Sequence, residues 1–211
     1  MQIDEGNFLG QNGGAFFYGD DSSNACVTNI AKGKFLSVYN ASGGVLGLCG
    51  ICVMGNADLT MNDVYMHAVN AAISVEGSSA VSVDNRQAKI TITGGEYITN
   101  GGAVIFNYSN FKSYSYATWQ ITGGHFQVGG TNGKIFQTEW GSYAPVWSTI
   151  LGTGYKAYYY NGSTYRDVSS ASTSNTSYNN IYDSATTPAR SPLRKATSSS
   201  DRKEIINIRR A

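Results

Sequence analysis

The sequence predicts an all-β fold: a right-handed single-stranded parallel β-helix, or solenoid, of about five coils with a C-terminal β-hairpin cap and an irregular tail. Three observations favour it. A short motif recurs along most of the chain, apolar and polar residues alternate within it, and glycines follow the alternating stretch. The composition agrees, because only 14% of residues are charged, while 25 glycines and 15 tyrosines favour strands and turns over helices.

The recurring motif returns about every 30 residues, a period typical of repeat architectures. Its copies begin at Met1, Thr28, Leu59, Ile90 and Trp119. The first and third positions are mostly apolar and the second is Gln, Asn or Thr, which is the period-two pattern of a strand with one buried face. One coil alone could not bury that face, so we expect the coils to stack with strands about 4.8 Å apart.

Stacking predicts that equivalent motif positions lie above one another. The fifth position alternates in charge and then becomes glycine, in the order Glu5, Lys32, Asp63, Gly94 and Gly123. Like charges in such a column would be destabilising, so the alternation supports the register. The eighth position is apolar or aromatic and is expected to point inward; its members are Phe8, Phe35, Met66, Tyr97 and Phe126.

A looser second motif follows each copy of the first. Its copies are Gly13–Phe16, Gly43–Leu46, Asn70–Ile73, Gly101–Val104 and Asn132–Ile135. Small residues open most of these copies and apolar residues close them, so the second motif supports the same repeat.

The I-x-x-G-x-F coil followed by G-G-A resembles the right-handed parallel β-helix proteins of the pectate-lyase-like group, especially repetitive surface proteins of gut bacteria and their phages. The resemblance covers about residues 1–168 and implies an architecture rather than a chemistry. It also implies an extracellular or cell-surface location. In such proteins a Gly-Tyr segment with an Asn-Gly turn often closes the stack, and Gly154–Gly162 is similar. Since Asn-Gly is a strong two-residue hairpin turn, we expect a β-hairpin cap there.

The composition changes after Val168, which divides the chain into a β-helix domain with its cap at 1–168 and a tail at 169–211. The tail is rich in Ser, Thr and Asn and then basic, with seven basic and two acidic residues between 185 and 211. A solvated linker or terminus is the preferred interpretation, and nucleic acid is not an expected partner, although a basic tail could bind an acidic one. Ile205–Ile208 could add a strand to a sheet edge.

The start of the chain bears on location and assembly. Residues 1–5 lack the basic and apolar segments of a secretion signal, and no apolar run approaches the ~20 residues of a membrane span. The first coil begins near Met1 without a cap, so its edge is open to pairing. Either Asn12–Cys26 folds over it, or a homo-oligomer covers it through an end-to-end contact, or the chain is part of a longer precursor. We favour the last.

The best candidate for chemistry is the seventh motif position, which faces outward: Asn7, Lys34, Tyr65, Glu96 and His125. Stacking would place Glu96 about one strand spacing from His125, close enough to pair and to raise the imidazole pKa, which makes these two residues the candidates for acid/base chemistry on a polysaccharide. An ordinary cross-strand surface pair is the simpler interpretation.

Metal and thiol sites have weaker signals. Asp20 and Asp21 could contribute to a calcium site, although acidic residues in such turns usually serve the turn itself. No other cofactor is indicated. Cys49 and Cys52 have C-x-x-C spacing but lie in an apolar stretch, and with Cys26 they make an odd count, so buried core residues are the preferred interpretation.

Aromatic residues in the long segments after the fourth and fifth coils are candidates for ligand binding. The candidates are Tyr114, Tyr116, Trp140, Tyr143 and Trp147. Loops on a rigid scaffold often bind ligands, and planar rings stack on sugars. Packing of the same rings against the coils is the alternative.

Together these features predict a non-catalytic extracellular module for glycan binding, surface adhesion or a structural role. Two alternatives stay open: a polysaccharide lyase or glycoside hydrolase of β-helix type, and a self-assembling stalk or fibre unit. Because one fold serves many functions, the resemblance alone does not choose among them.

Overall fold

A computed structural model describes residues 1–10, 13–19, 25–37, 49–76, 88–100, 102–108, 117–129, 133–138 and 144–183. In these ranges the protein is all-β, as predicted, with fourteen strands and one single-turn helix. The elements in chain order are β1 (Gln2–Ile3), β2 (Asn7–Gly10), β3 (Gly13–Gly19), β4 (Cys26–Ser37), β5 (Cys49–Gly55), β6 (Ala57–Ala68), β7 (Ala71–Glu76), β8 (Ala88–Thr99), β9 (Ala103–Tyr108), β10 (Ala117–Val128), β11 (Lys134–Thr138), α1 (Trp147–Ile150), β12 (Ala157–Tyr160), β13 (Tyr165–Asp167) and β14 (Asn180–Asp183).

The strands form two sheets, and the chain alternates between them. Among the described residues the larger sheet has the order β1-β4-β6-β8-β10-β14-β12-β13, with β2 also paired to β4, and the smaller has the order β11-β9-β7-β5-β3. The repeat strands pair in parallel within each sheet, whereas β12, β13 and β14 pair antiparallel at one end of the larger sheet. No helix within the described ranges could span a bilayer.

The core forms from the inward motif positions. Ile30, Met61, Ile92 and Ile121, at the third position, are fully buried. The predicted column at the eighth position is confirmed: the register pairs Phe8 with Phe35, Phe35 with Met66, Met66 with Tyr97, and Tyr97 with Phe126. The rings of Phe8 and Phe35 stack at 4.6 Å, and those of Tyr97 and Phe126 at 5.1 Å. The Tyr97 hydroxyl donates a hydrogen bond to the Gly94 carbonyl, so a polar atom is accommodated in this column.

The long strands of the larger sheet deviate from regular pairing at the motif glycines. Gly95 has φ +101°, a conformation that side chains rarely adopt, and a Cβ there would overlap the Val64 carbonyl oxygen. The register also shifts within β10, so that Gly123 pairs with Thr93. The ungapped prediction that Gly123 lies beside Gly94 is therefore wrong, because a β-bulge changes the pairing locally.

The smaller sheet follows the alignment of the second motif at Lys134 and Ala103, which pair as aligned, but not in the earlier repeats. In the second repeat the strand is Cys49–Gly55, whereas the predicted copy Gly43–Leu46 lies outside the described residues. Ala71 pairs with Ala103 and Ile73 with Ile105, one residue away from the predicted alignment. Pairing places Ala15, Ile51 and Ile73 in one column.

The predicted hairpin is confirmed, but its turn is not the predicted two-residue Asn-Gly turn. Strands β12 and β13 pair antiparallel, and Tyr160 pairs with Tyr165, which leaves the loop 161–164. Asn161 organises this loop, because its side-chain oxygen accepts hydrogen bonds from the backbone amides of Ser163 and Thr164.

The sheet continues past the predicted boundary at residue 168. Strand β14 lies between β10 and β12, and Ile181 is completely buried. The helix α1 and the segment after it lie on the same end of the sheet, where Leu151 forms a bridge with Ile121. The antiparallel strands thus cover the free edge of β10.

Candidate functional site

The outer face of the larger sheet carries the chemistry-bearing side chains. Since the eighth motif position points inward, its neighbours at the seventh and ninth positions point outward. We call the seventh-position residues the position-seven row; pairing of adjacent strands places Asn7, Lys34, Tyr65, Glu96 and His125 side by side in this order. Lys34 is exposed and Tyr65, Glu96 and His125 are half-buried. The row therefore combines both signs of charge, an imidazole and a phenol on one rigid surface.

His125 and Glu96 are brought together on adjacent strands, as the motif register predicts. The expected rise in the imidazole pKa is wrong, however. Burial lowers the pKa of His125, and the hydrogen bond with Asn180 only partly opposes this effect. The His125 Nε2 atom lies 2.7 Å from the Asn180 Oδ1 atom on β14. A neutral ring that is held in this way is suited to hydrogen bonding, and its catalytic role stays a prediction.

The row extends beyond the five repeats into the antiparallel strands. Tyr182 on β14 pairs with His125, Tyr158 on β12 pairs with Tyr182, and Asp167 on β13 pairs with Tyr158. Tyr158 is half-buried. The backbone pairing of this row therefore crosses the sheet from β2 to β13, and the sequence motif covers only its first part.

Asp167 on β13 lies at the far end of this row. The Ser169 hydroxyl donates a hydrogen bond of 2.7 Å to the Asp167 carboxylate, and the Lys156 ammonium lies 3.0 Å from it. These contacts, with the Ser169 hydrogen bonds first, hold the pKa of Asp167 below its ordinary value. Asp167 is thus an anchored negative charge.

The ninth motif position forms a second, more apolar row beside the first. Its members in register are Leu9, Leu36, His67, Ile98 and Gln127. Leu9 is exposed, whereas Leu36 and Ile98 are half-buried. The His67 Nε2 atom lies 2.9 Å from the Asn100 Oδ1 atom. Both histidines of the chain therefore lie on this face, each beside an asparagine from a neighbouring segment.

Trp147 does not belong to an exposed aromatic cluster. It begins α1, is only 1% exposed, and packs against Phe126 with ring centroids 6.1 Å apart. Burial leaves its ring no face for a ligand, so the expectation that Trp147 stacks on a sugar is corrected here. Its contact with Phe126 on β10 agrees with the alternative, in which this ring packs inward.

The other predicted aromatic and acidic candidates lie outside the described residues. They are Tyr114, Tyr116, Trp140 and Tyr143 for ligand binding, and Asp20 and Asp21 for calcium. Within the described ranges no group of three His, Cys, Asp or Glu side chains could hold a metal ion. Cys49 and Cys52 are buried in β5, in keeping with the core interpretation.

Tyrosines of the hairpin form contacts that the sequence did not reveal as a cluster. The rings of Tyr160 and Tyr165 lie 4.7 Å apart across the hairpin, and those of Tyr159 and Tyr178 lie 5.3 Å apart. The Arg166 guanidinium lies 5.8 Å above the Tyr178 ring. The only sequence signal was the run Tyr158–Tyr160, whose members alternate between the two faces of β12.

The candidate site rests on this geometry. Comparisons of the chain with protein-family models, with curated proteins and with solved structures found no match. The resemblance to surface β-helix proteins therefore stays a prediction from the motif.

Proposed function

We propose that this protein is a non-catalytic glycan-binding module of a bacterial or phage surface, built as a right-handed parallel β-helix of about five coils. Alternation of the chain between two parallel sheets supports the winding. Parallel crossovers are right-handed in nearly all proteins, which supports the hand. The extracellular location rests on the resemblance of the motif.

The observation that carries the proposal is the position-seven row. Its side chains stand on adjacent strands, about 4.8 Å apart, so that successive units of a linear polymer could contact successive strands. Tyr65 offers an aromatic surface for a sugar ring, while Lys34, Glu96 and His125 offer charged and polar groups for hydroxyls or acidic substituents. Side chains on a sheet stand on an ordered backbone, so little conformational entropy is lost when a ligand binds, and this favours affinity.

A binding role accounts for His125 better than catalysis does. Its pKa is lowered by burial and its Nε2 atom already lies 2.7 Å from the Asn180 side chain. A polysaccharide lyase would use a base that reaches the substrate, and a hydrolase would use two carboxyl groups at a fixed separation. The row holds two carboxylates, Glu96 and Asp167, but they lie four strands apart, about 19 Å, which is farther than the separation that hydrolysis uses.

The test is glycan-array binding followed by calorimetry with the best glycan. We expect Tyr65→Ala to weaken binding at least about tenfold, because a buried aromatic contact commonly contributes more than 1 kcal/mol. Tyr155→Ala is the matched control, since Tyr155 is also half-buried but lies outside both rows. Equal losses in the two variants would contradict the proposed site.

The same glycans distinguish the enzymatic alternative. Release of unsaturated or reducing ends that disappears in His125→Ala would replace the binding proposal with a lyase or hydrolase. Unchanged glycan after prolonged incubation, together with saturable binding, supports the binding module.

An assembly unit is the second candidate, favoured by exposed apolar side chains around the first coil. These are Met1, Leu9, Phe16, Tyr18 and Val27. Exposed apolar residues beside a strand edge favour association. Sedimentation velocity at micromolar concentration tests this role: concentration-dependent oligomers would support it, and a single monomer boundary would refute it.

A further inference from the structure

The loop 161–164, which joins β12 to β13, surrounds one side-chain oxygen with hydrogen-bond donors. The Asn161 Oδ1 atom accepts hydrogen bonds from the backbone amides of Ser163 and Thr164, at 3.0 and 2.9 Å. The hydroxyl groups of the same two residues also donate to it, at 3.0 and 3.3 Å. Because a backbone amide can only donate, the atom that faces these groups is the oxygen of the carboxamide and not its nitrogen.

The nitrogen of the same carboxamide has no comparable surroundings. An asparagine NH2 group has two hydrogens to donate. Among the described residues, none accepts a hydrogen bond from the Asn161 Nδ2 atom, and water solvates this exposed side chain. The protein groups around Asn161 therefore suit a carboxylate, which only accepts hydrogen bonds, better than they suit a carboxamide.

The residue after Asn161 is a glycine with an accessible backbone nitrogen. Gly162 has φ +99°, and no atom lies within 4 Å of the place that a Cβ would take. Within the described ranges, no group accepts a hydrogen bond from its amide. Because glycine has no side chain, nothing in residue 162 itself hinders the approach of its nitrogen to the Cγ atom of Asn161.

We propose that Asn161 is a site of spontaneous deamidation, at which the carboxamide becomes a carboxylate that stays in the loop. In the first step the Gly162 nitrogen forms a bond to the Asn161 Cγ atom, the bond from Cγ to Nδ2 breaks, and ammonia leaves with the amide proton. Water then hydrolyses the succinimide ring. Addition of water at Cγ gives aspartate, whereas addition at the backbone carbonyl carbon gives isoaspartate.

The four donors of the loop favour both steps. Negative charge develops on the Asn161 Oδ1 atom when the Gly162 nitrogen attacks, and donors that are already in place stabilise such an oxyanion. The same donors polarise the Cγ carbonyl of the succinimide, so water adds there and aspartate is the main product. The carboxylate then accepts charge-assisted hydrogen bonds from the loop. This inference does not depend on glycan binding.

The product can be made directly as Asn161→Asp. This variant should migrate with the aged wild-type protein in isoelectric focusing, because both carry one more negative charge. We expect it to raise the midpoint of thermal unfolding at neutral pH, since hydrogen bonds to a charged acceptor are stronger. The gain should be lost in acid, where the carboxylate is protonated. A lower midpoint than that of the wild type at neutral pH would overturn the idea that the loop suits a carboxylate.

Peptide mapping by mass spectrometry on the full chain, aged at neutral pH, tests the site. Asn175 is an internal control, because it is also exposed and its Oδ1 atom accepts from the Ser177 amide at 3.0 Å, but Thr176 follows it. We expect Asn161 to lose its amide at least about tenfold faster than Asn175, because the branched side chain of Thr176 hinders attack by its own nitrogen. Equal rates at the two asparagines would overturn the proposal.

The contribution of the loop is tested separately, because glycine after asparagine promotes the reaction by itself. Ser163→Ala with Thr164→Val removes both hydroxyl donors and should slow the loss of ammonia at least about threefold. Ser163→Thr with Thr164→Ser is the matched control, which keeps both hydroxyl groups and should retain the rate. Unfolding in urea should make isoaspartate the main product. Equal rates for the two double variants would overturn the proposal, and so would isoaspartate as the main product of the folded chain.

Discussion

The side chain of His125 links the candidate site to the stability of the fold. The ring is half-buried at the junction of β10 and β14, and Asn180 holds its Nε2 atom. Burial lowers the pKa of this imidazole. A group that resists protonation in the folded state makes stability depend on pH.

We expect the free energy of unfolding to fall as the pH drops below about 6.5. The unfolded chain takes up a proton near that pH, whereas the folded state takes it up only at the lower pKa of His125, so protons favour unfolding between the two values. Urea unfolding at pH 7.5, 6.5 and 5.5 measures this slope, and His125→Gln should reduce it. Asp167 also has a lowered pKa but titrates below this window. Gln127→Ala, a substitution at an exposed neighbouring position, should leave the dependence of the free energy of unfolding on pH unchanged. If His125→Gln also left it unchanged, His125 would not be the group that causes it.

At Gly95 a single Cβ would disturb the pairing of two repeat strands. Its φ of +101° is unfavourable for alanine, and the added atom would overlap the Val64 carbonyl. We expect Gly95→Ala to lower the free energy of unfolding by about 2–4 kcal/mol, because backbone strain and overpacking add together. Gly154→Ala is the control that separates the two causes, because Gly154 has φ +84° but no atom within 4 Å of the place that an alanine methyl group would take. Chemical denaturation should show that Gly154→Ala lowers the free energy of unfolding by only about 1 kcal/mol, from backbone strain alone. Equal losses in the two variants would show that the protein relieves the overlap between the added Cβ at residue 95 and the Val64 carbonyl.

At the scale of the element, the aromatic column determines how the long strands fit together. Phe35 lies under Phe8 with nearly parallel rings and has no exposed surface. The neighbouring strands contribute Met66 and then the stacked Tyr97 and Phe126. The column therefore joins all five repeats through one continuous set of contacts.

Removing one ring from this column should destabilise the protein strongly. We expect Phe35→Ala to lower the free energy of unfolding by about 3–5 kcal/mol, since it leaves a cavity between two strands. Phe16→Ala provides a control of the same chemistry, because Phe16 on β3 is 57% exposed. Thermal unfolding followed by circular dichroism compares the two. A similar loss in both variants would argue against the column as the principal contact.

For the whole molecule, the two ends of the larger sheet differ. Strands β14, β12 and β13 cover one end in antiparallel pairing, and Ile181 anchors β14 in the core. At the other end β1 and β2 pair only with β4 among the described strands. Association and local opening are therefore expected to differ between the ends.

Loosening the covered end should expose the edge of β10. We expect Ile181→Asp to place an unpaired charge in the core, increase amide hydrogen exchange in β10 and promote aggregation. Ser177→Asp is a suitable control because it adds the same charge at an exposed position before β14. If exchange in β10 were equal in both variants, β14 would not be the element that protects this edge.

Sequence reasoning recovers the parts of the molecule in which alternation is strong. The column from Phe8 to Phe126 and the neighbourhood of Glu96 and His125 follow from the motif, because parallel pairing repeats one register across five strands. The strand Cys49–Gly55 does not follow from it, because the small residues of Gly43–Leu46 match the second motif better than Cys49-Gly50 does. Burial of Trp147 is equally hidden, since no local pattern indicates that α1 packs onto Phe126. Strand β14 escapes prediction because Ile181, its buried side chain among those the structure describes, lies in a polar stretch, and its partner strands are distant in sequence.

The repeated register of β4, β6 and β8 also has a consequence for how such a gene can change. The inward side chains of these strands follow one succession, with Ile30, Met61 and Ile92 in one column and Phe35, Met66 and Tyr97 in another. A tandem duplication of one unit would therefore supply a strand whose inward side chains fit on both sides, whereas a charged outward residue such as Lys32 would face its own copy and favour a compensating substitution. Recombination could lengthen or shorten the molecule in whole units and vary the number of ligand contacts while the fold is conserved.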